Sequence, residues 1–61
     1  MTPQEVMQKV YAEIDGGIES TKEEIKEYLR EEDYISAGSL HAALIALETF
    51  KEKLKDIFPE E

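Results

Sequence analysis

The sequence contains no cysteine and only one histidine, His41, among its 61 residues. A disulfide framework is therefore excluded, and a structural metal site has too few soft ligands to form. A chain of this size buries only about 60% of its unfolded surface, so its own core is expected to be thin. Small domains are usually stabilised by disulfides, by a structural metal or by oligomerisation. Because the first two are excluded here, we expect oligomerisation.

Basic residues are also scarce, since 7 lysines and arginines stand against 15 acidic residues and give a net charge of −8. This charge repels phosphate backbones and anionic membranes, so we expect neither a nucleic-acid nor a membrane partner. The opening residues 1–5 lack the basic start and the apolar run of a secretion signal. We therefore expect a cytoplasmic protein.

Residues suited to catalysis or to cofactor binding are missing as well. The hydroxyl of Ser39 is two residues from His41 on the same predicted helix, so the two side chains point in different directions. The Glu-x-x-His spacing of di-iron bundles is absent because Gly38 precedes His41 by three residues. We predict no catalytic, cofactor-binding or metal-binding residue, and a protein that is not an enzyme.

The first half of the chain carries the signature of a long amphipathic helix. Thr2 is a suitable cap, Pro3 suits the first helical position, and Glu5 completes a capping box. Mostly apolar residues then follow at alternating steps of four and three, at Met7, Tyr11, Ile14, Ile18, Thr21, Ile25 and Tyr28, and Val6, Val10 and Leu29 widen this stripe. This spacing predicts one apolar stripe on a helix that extends from Pro3 to about Arg30.

Gly16 and Gly17 interrupt this segment, and two interior glycines cost about 2 kcal/mol relative to alanine. One alternative is a break there, with Ser20 or Thr21 capping a restarted helix and the chain forming three helices. The other is a continuous helix, which the unbroken phase of the stripe across the glycines favours.

The second half predicts another helix, from Tyr34 to about Phe58, with Asp33 as its cap and Pro59 as its stop. A three-four spacing recurs at Leu40, Ala43, Leu47, Phe50, Leu54 and Ile57, and we expect these residues to face the first helix. A turn at residues 31–33 makes the helices antiparallel neighbours. We predict an all-α fold, an antiparallel helical hairpin that forms one domain over residues 1–61.

The second helix carries more apolar surface than one neighbour covers. No residue from Tyr34 to Leu47 has a formal charge, with His41 taken as neutral. A second interface is predicted at Gly38, Ala42, Ile45, Ala46 and Thr49. Small residues let two helices approach closely, and the simplest assembly is a two-fold homodimer that forms a four-helix bundle. The alternative is that alanine serves here only as a good helix former.

Two predicted helices around a central turn are accompanied by three short sequence features, Met1-Thr2, Gln4-Glu5 and Ser39-Leu40-His41. In this architecture and in these short matches the chain resembles the Rop family of dimeric four-helix-bundle proteins, which bind paired RNA loops. This resemblance implies a dimeric bundle. The positions that would correspond to the RNA face, however, are apolar here, at Pro3, Val10, Ile14, Ile18 and Ile25, so the resemblance concerns architecture and not activity.

The function that these features favour is that of a small acidic interaction protein, an adaptor or an inhibitor that acts through protein–protein contacts. Between Glu13 and Asp33 there are nine acidic and three basic residues, a local balance of −6, which suits a partner with a basic surface. The alternative is a structural or assembly component, or a designed bundle, without a catalytic role. A Rop-like RNA-binding regulator is the weakest hypothesis, because seven scattered basic residues form no phosphate-binding stripe.

Overall fold

The computed structural model describes residues 2–59 and forms an antiparallel helical hairpin. Helix α1 spans Pro3–Arg30 and helix α2 spans Tyr34–Ile57. The two helices pack against each other along their length, in a body of 45 × 18 × 13 Å. The all-helical hairpin predicted from the sequence is confirmed.

Helix α1 begins as its first residues predict. The Glu5 amide donates to Thr2 Oγ1 at 3.1 Å, and the Thr2 amide donates to Glu5 Oε1 at 3.3 Å. These reciprocal bonds form a capping box, and Pro3 occupies the first turn, where its missing N–H leaves no acceptor unpaired.

The helix continues through Gly16 and Gly17 without a break, so the three-helix alternative is wrong. Ile14 is half-buried and Ile18 is buried, on either side of the glycine pair. Burying both against α2 requires the helix to keep its phase across the glycines, and this packing offsets their poor helix propensity. The Thr21 hydroxyl, which the broken-helix alternative would have used as a cap, instead donates to the Gly17 carbonyl at 2.7 Å.

The turn between the helices is a C-terminal cap followed directly by an N-terminal cap. The Asp33 amide donates to the Tyr28 carbonyl at 2.9 Å, and the Glu32 amide donates to the Leu29 carbonyl at 3.1 Å. This pair of bonds is a Schellman motif, and it places Glu32 in the left-handed region with a φ of 59°. Asp33 Oδ1 then accepts from the Ser36 amide at 3.1 Å, in agreement with its predicted role as a cap.

The core lies along the seam between the helices, and its centre consists of Tyr11 and Ile18 on α1 with Ala37 and Leu44 on α2. The seven central members of the predicted α1 stripe are buried or half-buried, as is Val10, whereas Val6 and Leu29 at its edges are exposed. The predicted α2 stripe is only partly right. Leu40, Leu47 and Leu54 lie at the seam and are half-buried, whereas Ala43, Phe50 and Ile57 are exposed.

The reason is that α2 is rotated so that Ala37, Leu44 and Lys51, each seven residues apart, face α1. Lys51 is acceptable at the seam because its aliphatic stem can be covered while its ammonium group reaches the Asp15 carboxylate on α1. The three-four pattern, which places the more apolar Phe50 at the seam instead of Lys51, therefore predicts the wrong rotation of α2.

A buried tyrosine of α1 links that helix to the C-terminal cap of α2. Tyr11 is 2% exposed, and its hydroxyl donates to the Phe58 carbonyl at 2.7 Å. The Phe58 amide donates to the Leu54 carbonyl at 2.6 Å and closes the last turn of α2. The Phe58 carbonyl lies beyond the last helical turn, where no amide of the helix can bind it, and Tyr11 supplies its donor.

Candidate interaction surfaces

The five residues predicted as an interface form a row on the outside of α2, which we call the outer row: Gly38, Ala42, Ile45, Ala46 and Thr49. All five are exposed. Ala42 and Ala46 lie two positions before and after the buried Leu44, a rotation of roughly 200° about the helix axis. The outer row thus points away from α1. Ile35, which is 85% exposed, extends it toward the turn.

A second apolar surface lies on one broad side of the hairpin, where both helices contribute. We call this surface the open face and define it by four exposed residues, Val6 on α1 and Ala43, Phe50 and Ile57 on α2. Val6, Phe50 and Ile57 are 44%, 54% and 66% exposed. The sequence pattern had assigned the three α2 residues to the seam.

Gly17 shows that the two halves of the open face belong to the same side of the hairpin. A Cβ atom added to Gly17 would lie 4.0 Å from Leu47 Cδ1. Gly17 follows Val6 by eleven residues, about three helical turns, so these two residues share one side of α1. Leu47 lies between Ala43 and Phe50 on α2, at the helical spacings of four and three that place neighbours together.

Charged side chains lie mainly around α1 and the turn. Ion pairs join Lys26 to Glu23 at 3.5 Å and Arg30 to Glu27, each within one turn of α1. The pair between Lys51 and Asp15 links the two helices. None of the residues that define the outer row and the open face is charged.

A small groove lies at the end of the hairpin where α1 begins and α2 ends. It has a volume of about 310 Å³ and is lined by Pro3, Gln4, Met7, Gln8, Tyr11, Ile57, Phe58 and Pro59. This volume is at the lower limit of ligand sites, which hold roughly 300 to 1,000 Å³. Its polar groups are two carboxamides and the Tyr11 hydroxyl, which is bonded to Phe58, so the groove suits apolar contact rather than acid–base chemistry.

His41 is exposed on α2. Among residues 2–59, no three histidine, cysteine, aspartate or glutamate side chains come together as a possible metal site. Neither α1 nor α2 combines the length and the apolar character that crossing a membrane requires.

Comparisons with protein-family models, with curated proteins and with solved structures find no match to this chain.

Proposed function

We propose that this chain is a small helical interaction protein, an adaptor or inhibitor that acts through protein–protein contacts, and that it assembles as a dimeric four-helix bundle. The observation that carries the proposal is the amount of large apolar surface that the hairpin leaves uncovered. Eight large hydrophobic residues of the described chain are at least 44% exposed, namely Val6, Leu29, Tyr34, Ile35, Ile45, Phe50, Ile57 and Phe58.

Single exposed hydrophobic residues are common on protein surfaces and need no explanation, but contiguous apolar patches mark interaction sites. Here Val6, Phe50 and Ile57 share the open face, and Ile45 and Ile35 lie in the outer row and its extension toward the turn. Six of the eight belong to α2 or its C-terminal cap, and residues 34–47 of that helix include no formal charge with His41 neutral. Helix α2 is therefore the element through which we propose that partners are bound.

The outer row is suited to a helix of a partner protein. Gly38, Ala42 and Ala46 recur every four residues and present little side-chain bulk, so a second helix can approach closely along them. The acidic residues of α1 and the turn favour partners with a basic surface, since complementary charge increases the rate of encounter and suppresses wrong pairings.

The dimeric bundle is tested by sedimentation equilibrium of the unmodified chain, combined with urea unfolding followed by circular dichroism. We expect a species of twice the chain mass, and a urea midpoint that rises with protein concentration because association stabilises the folded state by mass action. A folded monomer at every concentration, with a midpoint independent of concentration, would refute the dimeric bundle.

A further inference from the structure

We infer that a second copy of the chain covers the open face of the hairpin, and that the outer row is left uncovered in the dimer. The inference rests on the proposed dimer and adds which of the two apolar surfaces joins the copies.

The surface area of the chain supports a partner of substantial size. The hairpin exposes 4659 Å², whereas a compact monomer of its mass, 7.0 kDa, exposes roughly 4,000 Å². The excess of roughly 600 Å² approaches the 800 Å² or so that each partner buries in a standard interface. One more copy of the same chain is therefore enough to bring the exposed area per chain to the value of a compact protein.

The shape of the hairpin decides between the two surfaces. The hairpin consists of two helices side by side, and its shortest dimension is 13 Å against a length of 45 Å. Its radius of gyration is 14.1 Å, against roughly 10.5 Å for a compact chain of this length. The hairpin is thus a single layer, and stable domains consist of at least two packed layers.

Only the open face adds the missing layer. The outer row lies opposite the seam, so a copy bound there would extend the same layer sideways and leave the open face in water. A copy placed on the open face lies above both helices and converts two single layers into a four-helix bundle. That position would also cover Leu47 and Leu54, which are half-buried at the seam and continue directly into Phe50 and Ile57.

A matched pair of substitutions on α2 tests the inference. Phe50 is 54% exposed on the open face, and Ile45 is 50% exposed in the outer row. Glutamate at either position adds the same charge to the same helix. We expect Phe50→Glu to weaken dimerisation by at least about a hundredfold, because a carboxylate would lose water without a partner, and Ile45→Glu to change it by less than about threefold.

The dissociation constants are measured by sedimentation. Loss of the dimer with Ile45→Glu but not with Phe50→Glu would overturn the inference and leave the proposed dimer intact. Two variants that dimerise like the unmodified chain would also overturn it. A monomeric unmodified chain would refute the dimer itself, so the two failures are distinguishable.

Because Phe50→Glu can unfold a hairpin that depends on its partner, a second measurement uses smaller changes. The chain has no cysteine, so Ala43→Cys on the open face and Ala42→Cys on the outer row each provide a single thiol at an exposed alanine. Above the dimer dissociation constant, alkylation by iodoacetamide should be roughly tenfold slower for Ala43→Cys than for Ala42→Cys, and dilution should abolish the difference. Equal rates at both concentrations, or slower reaction of Ala42→Cys, would contradict the inference.

Discussion

The two helices of the hairpin differ in how much of their circumference is apolar. Helix α1 has one apolar stripe that is buried or half-buried against α2 except at its edges, where Val6 and Leu29 are exposed, and charged residues over most of its remaining surface. In helix α2 only Ala37 and Leu44 are buried, yet residues 34–47 are free of formal charge all the way round, with His41 neutral. A helix with one apolar stripe needs one neighbour, whereas a helix that is apolar on several sides needs more than one.

This difference assigns distinct roles to the two helices. Ion pairs of α1 such as Lys26 with Glu23 are mostly exposed, and pairs of this kind contribute little to stability; they keep the outside of α1 hydrated. Helix α2 instead supplies the whole outer row and three of the four residues that define the open face, Val6 of α1 being the fourth. Most of the residues in the proposed intermolecular contacts therefore belong to α2.

The largest expected effect on stability distinguishes the seam side of α2 from its uncovered side, at the neighbouring residues Leu44 and Ile45. Leu44 is 8% exposed at the seam, and Ile45 is 50% exposed. Leu44→Ala should lower the free energy of unfolding by about 2 to 5 kcal/mol, because it removes packed methyl groups and leaves a cavity. Ile45→Ala should change it by no more than about 0.5 kcal/mol.

Both values come from urea unfolding at one fixed protein concentration, chosen so that the unmodified chain is folded. Equal losses for the two substitutions would mean that Ile45 is covered as fully as Leu44, and the division of α2 into a seam and an uncovered side would then be wrong.

The same difference explains how much of the fold could be predicted from the sequence. The caps at Thr2 and Asp33, the turn and the α1 stripe were all predictable, because each depends on residues close in sequence or on one unambiguous period. The rotation of α2 was not. Its residues fit two adjacent stripes, each with a spacing of seven residues. One stripe passes through Leu44 and Lys51 and the other through Ala43 and Phe50, and only packing against α1 selects between them.

The candidate surfaces likewise differ in whether local sequence is enough to predict them. The outer row could be identified because small residues recur every four positions in a segment without charge. The open face could not, because its α2 residues were assigned to the seam and because it combines residues from both helices. A lysine at a seam position, such as Lys51, is difficult to predict from a hydrophobic pattern. Its aliphatic stem favours burial, whereas its ammonium group favours water.

The hydrogen bond between Tyr11 of α1 and the Phe58 carbonyl at the end of α2 gives a prediction with an intermediate effect on stability. Tyr11→Phe removes the hydrogen bond to the Phe58 carbonyl, whose O–O distance is 2.7 Å, and should cost about 1 kcal/mol while leaving the apolar ring in place. The control is Tyr28→Phe, at a half-buried position of the same stripe near the turn, which should change the stability by a few tenths of a kcal/mol at most.

Amide hydrogen exchange gives an independent measure of the same bond. We expect faster exchange in the last turn of α2 for Tyr11→Phe and unchanged exchange for Tyr28→Phe. If both substitutions leave the exchange of residues 54–58 unaltered, the tyrosine does not hold the end of α2.

The smallest expected effect compares one glycine in each helix, Gly16 in α1 and Gly38 in α2. Both lie in helix interiors with negative φ, and a Cβ added to either meets no atom within 4 Å. Alanine at either site should therefore raise the free energy of unfolding by about 0.5 to 1 kcal/mol, since it removes backbone entropy from the unfolded chain without a steric conflict. Urea unfolding of the two single variants and of the double variant measures this, and the gains should add because the sites share no neighbour.

Gly38 belongs to the outer row, which our assignment leaves uncovered in the dimer, whereas a copy packed along that row would approach Gly38 too closely for a methyl group. A gain at Gly16 together with a loss at Gly38 would thus reveal a helix packed on the outer row, and equal gains at both sites are what an uncovered outer row requires.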